Sequence, residues 1–183
     1  GARRANSDLG SGALGDSDLS ITARGEFLLS GSWDQFEDFT SRQGSEDGFM
    51  IGVAGHYQTG PGDVVGSESD IFAYTIDASY ESDGWNLFAA LVGRDIDIDG
   101  GADGHDYGLL IQGGVFVSED TELYARYGHI FLDDDAVPMG AEDESAEFAF
   151  GMNHYFEGHN AKFSADIVYY LDEATSGIGG TVG

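Results

Sequence analysis

The run DIDIDGGADGHD, Asp95 to Asp106, carries the most specific ligand spacing in the chain. Asp95, Asp97 and Asp99 stand at alternate positions, Gly100 follows, Asp103 lies further on, and Asp106 closes the run. A D-x-D-x-D-G run with a carboxylate at its twelfth position places hard oxygen ligands around Ca2+, with glycine permitting the sharp bend. Three departures set a second reading beside it. The closing residue is Asp, whose bidentate reach is shorter than that of Glu. The flanks alternate like strands, not helices. Asp95 and Asp97 can also belong to the preceding strand. The alternative is therefore a solvated acidic loop. Asp133-Asp134-Asp135 and Glu142-Asp143-Glu144 are weaker candidates of the same kind. Acidic loops on a cell surface could also bridge lipopolysaccharide through divalent ions.

Little else suggests chemistry. His56, His105, His129, His154 and His159 show no ligand spacing. There is no nucleophile elbow, phosphate loop or H-E-x-x-H. Carboxylates abound, but no glycosidase-like pair stands out among them. The expectation is a protein that is not an enzyme, with Ca2+ its one candidate cofactor. The absence of cysteine removes disulfides and thiolate metal sites. With 34 acidic residues against 7 basic ones, the formal net charge is -27, which would repel nucleic acid. That charge suits cation binding, a salty habitat or an acidic cell-surface face.

The elements that must hold these residues read as strands. From Ala146 to Asp172, Phe148, Phe150, Met152 and His154 alternate with Glu147, Ala149, Gly151 and Asn153. The turn Glu157-Gly158-His159-Asn160 follows, and alternation resumes through Phe163, Ala165, Ile167 and Tyr169. Period two on both sides of a short polar turn predicts an antiparallel hairpin. Its register would pair Phe156 with Ala161, His154 with Phe163, Met152 with Ala165, Phe150 with Ile167 and Phe148 with Tyr169. Six earlier segments repeat the design: 19–30, 48–58, 70–80, 85–95, 107–117 and about 122–131. Residues 1–18 read as a loop or linker, 19–172 as strands with long acidic loops, and 173–183 as a loop leading to a missing closing strand. In the connector between the first two strands, Trp33, Phe36 and Phe39 are three apart. This suits either a short helical turn over a strand end or an irregular loop held by its aromatics.

There is no apolar run of about 18 residues, so no transmembrane helix is expected. A spanning strand needs only about 9–11 residues, and its signal is alternation. The strands here are long for a soluble sheet. Turns look short at one end and loops long at the other. Aromatics such as Tyr80, Trp85, Tyr57 and Tyr107 gather near strand ends, as interfacial girdles do. The fold class expected is all-β: an antiparallel up-and-down transmembrane β-barrel, with about eight strands present as part of a larger one. No leader opens the chain, and GARRANSDLG reads as an internal or processed start. Strand parity points the same way, since eight such strands begin and end on the outer side.

TARGEFLLSGSWDQFEDFTS, GFMIGVAGHYQTG and FAFGMNHYFEGHNAKFSADIVYYLD resemble the C-terminal half of porins of the phosphate-selective porin O and P family, in their planctomycete-like versions. The likeness covers about residues 19–180. It implies an outer-membrane barrel of about sixteen strands, often trimeric, that passes ions and small solutes among outer-membrane lipid and lipopolysaccharide. Members that select phosphate line the pore with Lys and Arg. This chain has a single Lys, which speaks against that selectivity.

On the polar strand face fall Arg24, Arg94, Arg126 and Lys162, together with Glu26, Asp77, Glu122, Glu147 and Asp166. In a barrel these are the pore-lining candidates. Opposed charges across a lumen would tune ion selectivity. Alternatively, each Arg simply pairs a neighbouring acid and holds the wall together. The rival from another class is a secreted or surface-exposed acidic all-β binding module, calcium-dependent or not, with the apolar face inside. Phe148, Phe150 and Ile167 discriminate: they meet lipid in the first case and protein core in the second.

Overall fold

The computed structural model describes residues 19–61, 68–101, 103–133, 143–158, 160–171 and 178–182. The expected 1–18 linker, His159, and Asp134, Asp135 and Glu142 of the acidic runs lie outside these residues. The chain forms β1 (Leu19–Ser30), β2 (Gly48–Pro61), β3 (Glu68–Ser82), β4 (Trp85–Ile98), β5 (Gly104–Ser118), β6 (Thr121–Phe131), β7 (Glu144–Tyr155), β8 (Lys162–Tyr170) and β9 (Ile178–Val182). They make one open antiparallel sheet in sequence order. The all-β, up-and-down reading therefore holds. Each strand pairs with the next, as strands consecutive in sequence commonly do.

The terminal hairpin has the expected register. Phe148 faces Tyr169, Phe150 faces Ile167, Met152 faces Ala165 and His154 faces Phe163. The Phe156 amide donates to the Ala161 carbonyl at 2.8 Å. A one-residue slip would throw every apolar side chain to the other face, so the alternation sets the parity and the short turn sets the register.

Three features differ from expectation. First, most strands between β2 and β5 run further than the alternation of apolar residues. β4 continues to Ile98 and β5 begins at Gly104, so the ladder carries on through acidic residues. Second, residues 178–182, expected within a loop, pair with β8 as a short ninth strand, from Tyr169 opposite Ile178 to Ala165 opposite Val182. Third, long connections are not confined to one end. The 31–47 connector lies at the same end as the tight turns after β3, β5 and β7. It begins at Gly31, whose φ of 87° is one that L side chains rarely adopt, and turns through a 3-10 helix at Trp33–Glu37. The helical reading of the Trp33, Phe36 and Phe39 spacing is thus met. Of the three, Phe39 makes the ring contact, edge-on to Phe88 of β4 with centroids 4.8 Å apart.

Candidate functional site: the polar face of the sheet

The sheltered side of this sheet is its polar side. Asp77, Glu81, Asn86 and Glu122 are 5%, 3%, 4% and 5% exposed. Phe148, Phe150 and Ile167, on the other face, are 44%, 52% and 58% exposed. The same inversion runs along β5. Gly104, Gly108, Gly114 and Phe116 on the polar side are buried, whereas Tyr107, Ile111, Val115 and Val117 are exposed. A buried carboxylate is tolerated only if its oxygens find donors. The polar face supplies them through a recurring arrangement.

Side chains from strands two apart meet above a glycine on the strand between them. Arg24 of β1 reaches over Gly52 of β2 to Asp77 of β3, with its two terminal nitrogens donating to the two carboxylate oxygens at 2.7 and 2.9 Å. Asn86 of β4 reaches past Gly114 of β5 to Glu122 of β6 at 3.3 Å. Tyr124 of β6 donates over Gly151 of β7 to Asp166 of β8 at 3.1 Å. A Cβ on any of these glycines would overlap the side chains that cross it. Glycine weakens a strand in isolation. Here it opens the gap through which a second-neighbour hydrogen bond forms.

Glu122 is the hub. Its Oε2 accepts from Tyr155 Oη at 2.7 Å and from Asn153 Nδ2 at 3.0 Å, while Oε1 accepts from Asn86. Asn86 Oδ1 in turn accepts from the Gly114 amide at 3.1 Å, and its Nδ2 also donates to the Phe39 carbonyl at 2.8 Å. The donors to Glu122 in this network are neutral.

All nine charged residues expected on the polar face share its side of the sheet. Arg24 is shared between Asp77 and Glu26. Arg94 pairs with Asp106 across β4 and β5. Arg126 donates to Glu147 at 3.0 Å. Asp166 takes the Tyr124 hydroxyl, Glu122 is held by amides and a phenol, and Lys162 is exposed at the short-turn end. Three of the four cations are thus engaged by a nearby carboxylate, as the wall-holding alternative expects.

The 31–47 connector folds over this face at the short-turn end. The Ser41 hydroxyl, fully buried, donates to the Ser82 carbonyl. The Arg42 guanidinium lies 5.4 Å from the Phe116 ring centroid and 5.0 Å from that of Tyr155, and donates to the Glu119 carbonyl at 3.0 Å. The Gly84 amide donates to the Arg42 carbonyl, and the Gly44 amide to Asp83. Asp47 accepts from the Ser82 hydroxyl at 2.6 Å. Contacts from one connector thus reach β3, β4, β5 and β7.

The calcium spacing lies along the β4–β5 hairpin. Among the described residues no three His, Asp or Glu side chains are grouped to hold a metal. The physical reason is the extended ladder. Asp95 and Asp97 lie in β4, with Asp95 opposite His105 and bonded to its Nδ1 at 2.7 Å. Asp106 is committed to Arg94, and Asp106 Oδ1 also accepts from the Asp133 amide. The Asp99 amide donates to Glu68, and a tight turn from Ile98 to Gly101 leaves Asp99 and Asp103 at a hairpin end. Strand pairing puts Asp106 on the other face of the ladder from Asp95 and Asp97, where an EF-hand loop would wrap all of them round one ion.

Sequence reasoning missed Glu81, Asn86, Tyr124, Asn153 and Tyr155 as partners on the polar face. The available signal was glycine at polar-face positions, Gly52, Gly114 and Gly151, each between strands carrying polar side chains. Searches of protein-family models, of curated proteins and of solved structures return no match for this chain.

Proposed function

We propose that this chain is part of an outer-membrane porin, a β-barrel wall through which ions and small solutes diffuse without chemistry. The observation that carries the reading is the inside-out surface. Ile21, Phe27, Val53, Phe72, Ile76, Leu87, Leu91, Ile111, Val115, Phe148, Phe150 and Ile167 are exposed on one continuous face, while carboxylates and amides are sheltered on the other. Each such side chain would gain about 1.5–3 kcal/mol on full removal from water, so a sheet with this face in water is disfavoured. Lipid removes the penalty. The acidic surface module with its apolar face inside would need these same residues as its core.

Dimensions agree. From Tyr107 to Val117 the apolar side of β5 covers ten residue steps, about 34 Å along the strand. At a tilt of about 45° that is an apolar band roughly 24 Å tall, close to the ~25 Å of outer-membrane barrels. Aromatics border it: Tyr57, Phe72, Tyr107 and Phe131 at one end, Phe49, Tyr80 and Trp85 at the other. Among the described residues no helix is long and apolar enough to cross a membrane, which says nothing of strands. A membrane sheet cannot leave its edges unpaired, so the edges of β1 and β9, open among the described residues, would be paired in the assembled barrel. These two strands run in the same direction, so an all-antiparallel closure takes an odd number of further strands. A trimer of such barrels belongs to the same proposal.

The test is a denaturing gel of native outer-membrane extract with and without boiling. A band well above 19.4 kDa that shifts on heating supports the barrel. A heat-insensitive band near 19.4 kDa in the soluble fraction overturns it.

A further inference from the structure

We propose that residues 31–47 form the selectivity element of the pore: a fixed acidic shelf at the short-turn end that narrows the passage and favours cations. The inference rests on the porin reading and names what that reading leaves open, the part of the wall that selects and the sign of its preference.

Three observations converge on the connector. Its placement is the first. It crosses the polar face, which is the lumen face in a barrel, and is fastened to β3, β4, β5 and β7 by the bonds of Ser41, Asn86, Arg42 and Asp47. A segment held at this many points stays in the passage, and solutes must go round it.

Its charge is the second. Asp34, Glu37, Asp38, Glu46 and Asp47 are exposed on it. Its one basic side chain, Arg42, lies against two aromatic rings and a backbone carbonyl. The third is the floor beneath it. Glu122 is buried there and hydrogen-bonded to the neutral groups of Asn86, Asn153 and Tyr155. Elsewhere on the face Arg24, Arg94 and Arg126 sit beside carboxylates. Negative charge is therefore least compensated at the short-turn end, where the connector lies. Acidic rings at constrictions are the general means of admitting cations. A single carboxylate about 6 Å from a passing ion raises local cation occupancy about twofold at ~0.1 M salt and depletes anions to match.

The experiment is reversal-potential measurement in planar bilayers under a KCl gradient, using the native protein extracted from its membrane and a variant carrying Asp34→Asn, Glu37→Gln and Asp38→Asn. These replacements keep size and hydrogen-bonding capacity. The native channel should prefer K+, and the variant should lose at least about threefold in cation-to-anion permeability ratio while its heat-shifted gel band persists. A second variant, with 33–39 replaced by Gly and Ser, should conduct more per channel. Native channels that prefer Cl-, or selectivity and conductance unchanged in both variants, would overturn the shelf while leaving the porin standing. Native protein that forms no channel would overturn the porin reading, and the shelf with it.

Discussion

Phe150 and Gly151 are adjacent in the chain and face opposite ways. Phe150 pairs with Ile167 on a face open to the surroundings. Gly151 pairs with Asp166 on a face where Tyr124 closes over the glycine to reach that carboxylate. In a soluble sheet these assignments would be exchanged, with the Phe–Ile pair inside. The contrast teaches that shelter in this molecule follows how side chains bridge the sheet rather than how apolar they are. The polar face is closed by second-neighbour bonds and by a connector laid across it. The apolar face has no such cover among the described residues and depends on what surrounds it.

The strongest way to break the contrast is to place a charge in the middle of the apolar face. Ile111→Arg should destabilise the protein in lipid vesicles by about 2–4 kcal/mol, as charges near a bilayer midplane do. Urea titration of intrinsic fluorescence would read it. If that face met water, the same change would stay within about 0.5 kcal/mol. On the polar face, Glu122→Ala strands the donors of Asn86, Asn153 and Tyr155, and should cost about 1–3 kcal/mol. Adding Gly114→Ala sharpens this test. Alone it forces a Cβ onto Glu122. In the Glu122→Ala background its penalty should shrink, and a double-mutant cycle would show the coupling.

Asp77→Asn removes the charge opposite Arg24. Because the Arg24 side chain is 39% exposed, solvent screens the pair, and a loss of about 1 kcal/mol is expected, shrinking at high salt. Arg42→Ala removes two ring contacts and should cost about 0.5–1 kcal/mol. Its clearer readout is chymotrypsin cleavage after Trp33, Phe36 or Phe39, faster than in the parent. The smallest expected effect concerns the acidic hairpin. Adding Ca2+ or a chelator should leave the urea midpoint where it was, because Asp95, Asp97, Asp99, Asp103 and Asp106 do not converge. A stabilisation that saturates with micromolar Ca2+ would restore the calcium reading.

The eight long strands were legible because period-two alternation is a local pattern with one geometric solution per strand. The Phe148–Tyr169 register was legible for a related reason: a short turn fixes which residues can face one another. Arg24, Asp77, Glu122 and Asp166 could be assigned to a common face by parity alone. Their partners could not. The spacing of Asp95 to Asp106 suited calcium as well as it suited a hairpin, and only continued pairing of β4 with β5 separated the two. The connector's Trp, Phe and acidic residues gave no direction in which to fold.

Strand order, strand parity and the chemical character of each face therefore belong to the sequence by itself, because each depends on neighbours a few residues apart. Tertiary structure decided the bonds that skip a strand, from Arg24 over Gly52 to Asp77 and from Asn86 past Gly114 to Glu122. It also decided that residues 31–47 lie across the polar face, and that Asp95 meets His105 instead of an ion. The bonds that skip a strand and those of the connector join residues about 35 to more than 100 positions apart, and such contacts exist only after the backbone ladder has brought distant strands side by side.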